Sequence, residues 1–323
     1  MKNDIILTTS GVTITVKNKN NTLELVKNIN LQMKKGKILG LVGESGCGKT
    51  IIALAILGLL PKKEFKVSGE VLFNGMDMYR LTDKERRKIL GNEISMIFQE
   101  PMTSLNPLIK VGKQISESLY IHKRMKEKEA YPLVVEAMNI AGLPEPEDLY
   151  HYYPHQLSGG LRQRVMIAMA LVCKPNLIIA DEPTTALDAM VQKEILLQLK
   201  KACKELNTAM LFISHDLGVI KNLCEDVAVL YLGSLLEYGE CTKVLNHPKN
   251  EYTKALLASI PSPELKGKML KTIPGIVPPS GYIIKGCKFA KRCGRCTDLC
   301  KEQAPLLRKV DTRHYAACHS KEG

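Results

Sequence analysis

No stretch of the 323-residue chain approaches the roughly 20 consecutive apolar residues that a membrane-spanning helix needs. The longest clean candidate, Ile51 to Leu60, stops at Pro61 and reads as a buried helix. The N-terminus, Met1-Lys-Asn-Asp-Ile, lacks the charged, then apolar, then small layout of a secretory signal. These absences argue against an integral or secreted protein, so a cytosolic chain is expected. Any membrane role must come through a partner. Internal repeats and low-complexity tracts are missing too.

What remains is an ordinary globular composition, 45% hydrophobic and 24% charged, enough for one large domain or two modest ones. The net charge of +13 could serve nucleic acid, anionic lipid or phosphate. Its main runs, Lys34-Lys-Gly-Lys37 and Lys84-Glu-Arg-Arg-Lys88, lie between apolar segments and read as solvated faces. Ten cysteines in a cytosolic chain point to thiols or metal ligands rather than disulfides. Five of them, Cys287, Cys293, Cys296, Cys300 and Cys318, crowd the C-terminal end.

Residues 3–42 alternate in short apolar and polar runs that predict strands. Ile38-Leu-Gly-Leu-Val42, Ile94-Ser-Met-Ile-Phe98, Leu177-Ile-Ile-Ala180 and Ala209-Met-Leu-Phe-Ile213 have buried-strand character. Between about Pro101 and Tyr153 the pattern turns helical and charged. The alternation predicts an α/β core with a largely parallel sheet, a strand-rich N-terminal part and an inserted helical subdomain. From about Ile260, Pro261, Pro263, Pro274, Pro278 and Pro279 with Gly267, Gly275 and Gly281 mark a linker.

Gly43-Glu44-Ser45-Gly46-Cys47-Gly48-Lys49-Thr50 fits the phosphate-loop pattern G-x-x-x-x-G-K-[ST] completely. Glycines let successive backbone N–H groups curl around phosphate oxygens, and the following helix adds its N-terminal dipole. Lys49 is expected to reach the β- and γ-phosphates of ATP, and the Thr50 hydroxyl to ligate Mg²⁺. After the strand ending at Ala180, Asp181 is placed to hold Mg²⁺ and Glu182 to orient the attacking water.

Leu157-Ser158-Gly159-Gly160-Leu-Arg-Gln163, opening an apolar helix at Val165–Val172, resembles the LSGGQ signature of the ABC ATPase family, with Leu161 in place of its Gln. Physically, Ser158 and two glycines at a helix start make a second anion site. The resemblance implies a P-loop NTPase (RecA-like) core in which this site contacts the γ-phosphate held by an opposite subunit. It further implies that Gln99 is the Q-loop glutamine touching Mg²⁺ and water. Ala186-Leu187-Asp188 matches the interface-crossing D-loop, and His215 in Ser214-His-Asp216 the switch histidine. The family usually stacks adenine on an aromatic residue near position 16, yet no Phe, Tyr or Trp precedes Phe65. Val16 or a neighbouring aliphatic is expected to supply an apolar platform instead.

Gln99-Glu-Pro-Met-Thr-Ser-Leu-Asn-Pro107 resembles the peptide/nickel importer branch, as do Ile273-Pro-Gly275, Gly286-Cys287-Lys-Phe289, Arg292-Cys293, Cys300, Pro305-Leu306 and Ala317-Cys318-His319. Within it the chain is most similar to the D-type ATPase of oligopeptide and dipeptide permeases. That resemblance implies a peripheral prokaryotic ATPase at the cytoplasmic face of the cell membrane. Its partners would be an F-type ATPase, two permeases and an extracytoplasmic binding protein, with no nucleic acid. Peptides lead as cargo, with nickel or other metal chelates next.

Cys287, Cys293, Cys300 and Cys318, with Cys296 extra, suit Zn²⁺ or an iron–sulfur cluster. The resemblance favours [4Fe-4S] and a metal-stapled extension. The expected division is an ATPase domain at 1–250, with its insertion at about 99–163, followed by the linker and cysteine-rich extension at 251–323. A rival of another class is a nucleic-acid-associated ABC ATPase with a zinc module in its tail. Neither the long coiled coils nor the second ATPase unit of such proteins is present in the sequence.

Overall fold

The computed structural model describes residues 4–18, 21–99, 104–184, 187–260, 272–279, 281–282 and 284–320. Ala186, residues 100–103 of the importer-like segment and linker positions Pro261, Pro263 and Gly267 lie outside these. Among the described residues the first strands are β1 (Ile5–Asn18), β2 (Asn21–Lys34), β3 (Ile38–Val42), β4 (Phe65–Phe73), β5 (Met76–Asp77) and β6 (Ile94–Ile97). Then come β7 (Leu177–Asp181), β8 (Ala209–Ser214), β9 (Asp226–Tyr231), β10 (Ser234–Glu240), β11 (Arg308–Asp311) and β12 (His314–Ala316). The early helices are α1 (Lys49–Leu57), α2 (Asp83–Ile89), α3 (Val111–Lys123), α4 (Glu127–Ile140) and α5 (Pro146–Leu149). The later ones are α6 (Gly159–Leu171), α7 (Ala189–Glu205), α8 (Leu217–Leu223), α9 (Cys241–Asn246), α10 (Glu251–Ala258) and α11 (Asp298–Glu302).

The chain divides into two compact units. One holds Met1–Ile6, Met33–Lys37 and Asp77–Phe212. In it β6 and β7 run parallel, Ile94 opposite Leu177 and Ile97 opposite Ala180. Every β7 side chain is buried, as its unbroken apolar run requires of a central parallel strand. Helices α3, α4 and α6 pack together in the same unit. Buried Arg164 of α6 ties this group, donating to the carbonyls of Ala141 and Gly142 and pairing with Glu194 at 2.9 Å.

The other unit holds Leu7–Gln32, Ile38–Met76 and Ile213–Gly323. Its antiparallel part places β1 between β2 and β4. β1 and β2 are single strands of 14 residues each, longer than the short runs the sequence suggests. They pass through irregularities instead of breaking: the β1–β4 register shifts between Ser10 and Thr13. At the same point side chains tie β1 to β2: the Gly11 N–H donates to Asn30 Oδ1 (2.8 Å) and the Asn28 N–H to Thr13 Oγ1 (3.0 Å). The second part runs β11–β12–β10–β9–β3, with β3 parallel to β9 and the rest antiparallel.

The metal-stapled extension, with its [4Fe-4S] or zinc site on Cys287, Cys293, Cys300 and Cys318, is not what holds the tail. Among the described residues no group of three or more Cys, His, Asp or Glu is placed to hold a metal ion. The four thiols line one small hollow. Burial pushes the Cys287 thiol up to about 11. The staple is ordinary packing and pairing. β12 adds to β10, the Cys287 N–H donates to the Cys300 carbonyl at 2.7 Å, and Phe289 packs against Tyr231 and Tyr252 with centroids 5.5 and 5.2 Å apart.

Candidate functional site

The phosphate loop grows directly out of β3, whose five residues are all buried, and runs into α1. Gly43 must be glycine because a Cβ there would collide with the Leu230 carbonyl oxygen. Gly48, the N-cap of α1, takes φ 103°, a left-handed conformation that favours glycine. No side chain caps α1, and the start of a helix is where backbone N–H groups can meet an anion. Buried Lys49 folds back into the loop, its Nζ donating to the carbonyls of Gly43 (2.8 Å) and Glu44 (3.2 Å). Ser45, Gly46 and Thr50 are exposed along the same loop, while Cys47 is buried. That burial pushes the Cys47 thiol up to about 11, so it stays neutral beside the lysine.

Val16 lies half-buried near the end of β1 in the same unit. Across the sheet its register partner is Phe65, at the start of β4. Side chains of directly opposed residues project to one face, so an aromatic ring stands opposite Val16, where a platform of Val16 or a neighbouring aliphatic was expected. Nothing in the linear order links positions 16 and 65. Only a predicted β1–β4 register could have found Phe65. His215 follows β8 and is exposed; Asp216 next to it caps α8 through the N–H groups of Gly218 and Val219.

The remaining candidates lie in the other unit. Asp181 ends β7 and is buried; Glu182 follows with φ 45°. A non-glycine residue in that region carries about 1–3 kcal/mol of backbone strain, a cost that recurs at functional positions. The Nε2 of exposed Gln99 donates to Glu182 Oε2 at 3.4 Å, so the two groups expected to meet water are brought together. Ser158 is the N-cap of α6, its Oγ accepting from the Leu161 N–H, with Gly159 and Gly160 as the first helical residues. The helix therefore begins at the Ser158-Gly-Gly segment, as the sequence suggests, with capping setting its end ahead of the apolar run from Val165. Asp188 plays the same part at α7, accepting from Met190 and Val191 N–H at 3.1 and 3.0 Å.

A cradle of backbone donors at a glycine-capped helix, a buried lysine and an acidic strand end form the equipment of a nucleotide triphosphatase. Comparison with known proteins agrees. Residues 26–185 match the ABC transporter family, and residues 236–300 match the oligopeptide/dipeptide transporter C-terminal region. The oligopeptide transport ATP-binding protein OppD of Bacillus subtilis is 42% identical over 96% of this chain and 87% of its own length. The dipeptide transport ATP-binding protein DppD of the same organism is 43% identical over 88% of this chain and 85% of its own. Among solved structures, the dimeric ATP-binding cassette MJ0796 in a post-hydrolysis state with ADP and Pi superposes with a TM-score of 0.64. It is 30% identical, covering 73% of this chain and 99% of that one. The chain belongs to the ATP-hydrolysing ABC transporter family, in its oligopeptide/dipeptide branch.

Proposed function

We propose that the chain is the motor subunit of an importer for oligopeptides or dipeptides, coupling ATP hydrolysis to solute uptake through partner permeases. The observation that carries the cargo class is the match of residues 236–300 to the oligopeptide/dipeptide C-terminal region. Among the described residues no helix is long and apolar enough to cross a membrane, so translocation falls to other subunits. The division of labour is residues 1–250 as the ATPase, with its insertion at about 99–163, and 251–323 as linker and extension.

ATP lies with its phosphates in Gly43–Thr50 and its base on the face shared by Val16 and Phe65. Lys49 leaves its two loop carbonyls to meet the β- and γ-phosphates. The Thr50 hydroxyl, the Gln99 amide and the Asp181 carboxylate are hard oxygen donors suited to Mg²⁺, which supplies neutralisation of phosphate charge. Glu182, held by Gln99, orients the attacking water, and His215 contacts the γ-phosphate. Ser158, Gly159, Gly160 and Asp188 face a second ATPase subunit, an F-type partner. A hollow of about 300 Å³ lined by Met96, Phe98, Ser104, Met166 and Met169 lies beside Gln99. It is the apolar seat through which closure passes to a permease. An extracytoplasmic binding protein delivers the cargo, and the assembly sits at the cytoplasmic face of the membrane.

The test is reconstitution in proteoliposomes with the permeases, the second ATPase and the binding protein. ATP-dependent uptake of a labelled peptide is expected, and Glu182→Gln nearly abolishes it while nucleotide binding persists. Retained hydrolysis by that variant would remove Glu182 from its role. Uptake of a nickel chelate but not of peptides would overturn the cargo class.

A further inference from the structure

The C-terminal unit contains a contact that no nucleotide motif predicts. Arg292, with a side chain only 6% exposed, reaches across 248 positions of sequence to Glu44 of the phosphate loop. The pair is bidentate: Nη1 donates to Oε2 at 2.7 Å and Nη2 to Oε1 at 2.9 Å. Nη1 also donates to Tyr231 Oη at 3.3 Å, and Nε to the Pro274 carbonyl at 2.9 Å. The guanidinium lies over the Tyr231 and Phe289 rings, 5.8 and 5.9 Å from their centroids. The Glu44 carboxylate raises the Arg292 guanidinium above its ordinary value.

Glu44 is held at its other atoms too. Its N–H donates to the hydroxyl of buried Tyr252 at 3.1 Å, and its carbonyl accepts from Lys49 Nζ. Tyr252 is fixed in turn by Asn250, whose Oδ1 accepts the Tyr252 N–H at 2.8 Å and whose Nδ2 donates to the Ala317 carbonyl at 2.7 Å. Thus the tail grips Glu44 by two routes, one through the carboxylate and one through the backbone. The residue so gripped is the first after Gly43, where peptide orientation sets the direction of the N–H groups that follow. A bare carboxylate there would also repel a polyphosphate. Arg292 cancels that charge with a planar fork that a lysine cannot reproduce.

We propose that Arg292 is a positioning residue for ATP: it locks and neutralises Glu44 so that the phosphate loop is preformed. The C-terminal extension is thereby part of the nucleotide site. This rests on the reading that Gly43–Thr50 binds the triphosphate, and Lys49→Ala tests that reading separately.

The experiment measures the Kd of the full-length chain for trinitrophenyl-ATP with Mg²⁺, together with its urea unfolding midpoint. It also measures KM and kcat of the assembled transporter. Arg292→Met is expected to weaken binding about tenfold, raising KM with kcat within about twofold, as loss of ground-state binding does. Adding Glu44→Gln to that variant removes the stranded charge and recovers most of the affinity. Arg292→Lys, which keeps the charge without the fork, loses roughly threefold. A folded Arg292→Met chain with wild-type Kd and only a lowered midpoint would reduce Arg292 to a structural residue and overturn the proposal. If Arg292→Met does not fold, an unchanged Kd for Arg292→Lys overturns it. Wild-type Kd for Lys49→Ala would instead sink the phosphate-loop reading, whatever Arg292 does.

Discussion

Phe65 and Val16 are register partners across β1 and β4, and the pairing would bring an aromatic ring to the proposed base site, whose own strand has none. Base–ring stacking adds about 0.5–1.5 kcal/mol beyond area burial. Phe65→Ala is therefore expected to raise KM for ATP roughly two- to tenfold with kcat little changed; an unchanged KM would take the base off this face. Positions written in local order, Lys49 after Gly48 or Glu182 after Asp181, were legible in the sequence as candidates for the roles proposed. Phe65 was not, because its role depends on an antiparallel register between strands 49 positions apart (Val16 to Phe65). Arg86 shows the same limit. It reads as part of a solvated basic run, yet it is buried, with Nε and Nη2 on the carbonyls of Met78 and Leu81.

At the scale of elements, parallel strands such as β3 and β7 were legible because burial on both faces demands an unbroken apolar run. The hairpin β11–β12 was not: all four β11 residues, Arg308–Asp311, are exposed and carry no alternation. Its order comes from pairing with β10 and from one buried contact. His314 Nε2 lies 2.7 Å from Glu237 Oε1, with side chains 2% and 0% exposed. The same carboxylate accepts the Lys249 and Asn250 N–H groups at 2.6 and 3.1 Å. The cysteines drew attention to metal, while the fastening ran through His314 and Glu237. Removing one partner of a buried hydrogen bond costs about 1–3 kcal/mol. His314→Ala should lower stability by that amount in urea unfolding and speed amide exchange across β12. Lys309→Ala on exposed β11 should stay within about 0.5 kcal/mol. Equal effects of the two would show that the tail is not anchored through His314.

At the scale of the whole molecule, the proposed function gives the chain a phosphate-binding half-site in Gly43–Thr50 and a signature half-site in Ser158–Gly160. The second is a capped helix N-terminus: a Cβ at Gly159 would meet Leu187 at an ordinary 3.7 Å, whereas one at Gly160 would press on Val191 at 3.0 Å. Such an end has backbone donors to offer an anion. Beside it, Met190 at the start of α7 is 83% exposed, a large apolar side chain left to solvent next to the Asp188 cap. Large apolar groups exposed beside polar functional residues suit a surface that closes against a partner. If the two half-sites serve phosphates bound on different subunits, turnover requires association. ATPase activity per chain should then rise with concentration for the isolated protein. On the proposed pairing it should rise further with an F-type partner, whose matched surface would lower the concentration needed. Ser158→Arg, which puts a bulky cation at the capped helix start, should leave nucleotide affinity of the single chain within about twofold while reducing partner-stimulated turnover at least tenfold. Full activity that is independent of concentration, with Ser158→Arg as active as the unaltered chain, would mean that each chain completes its own site.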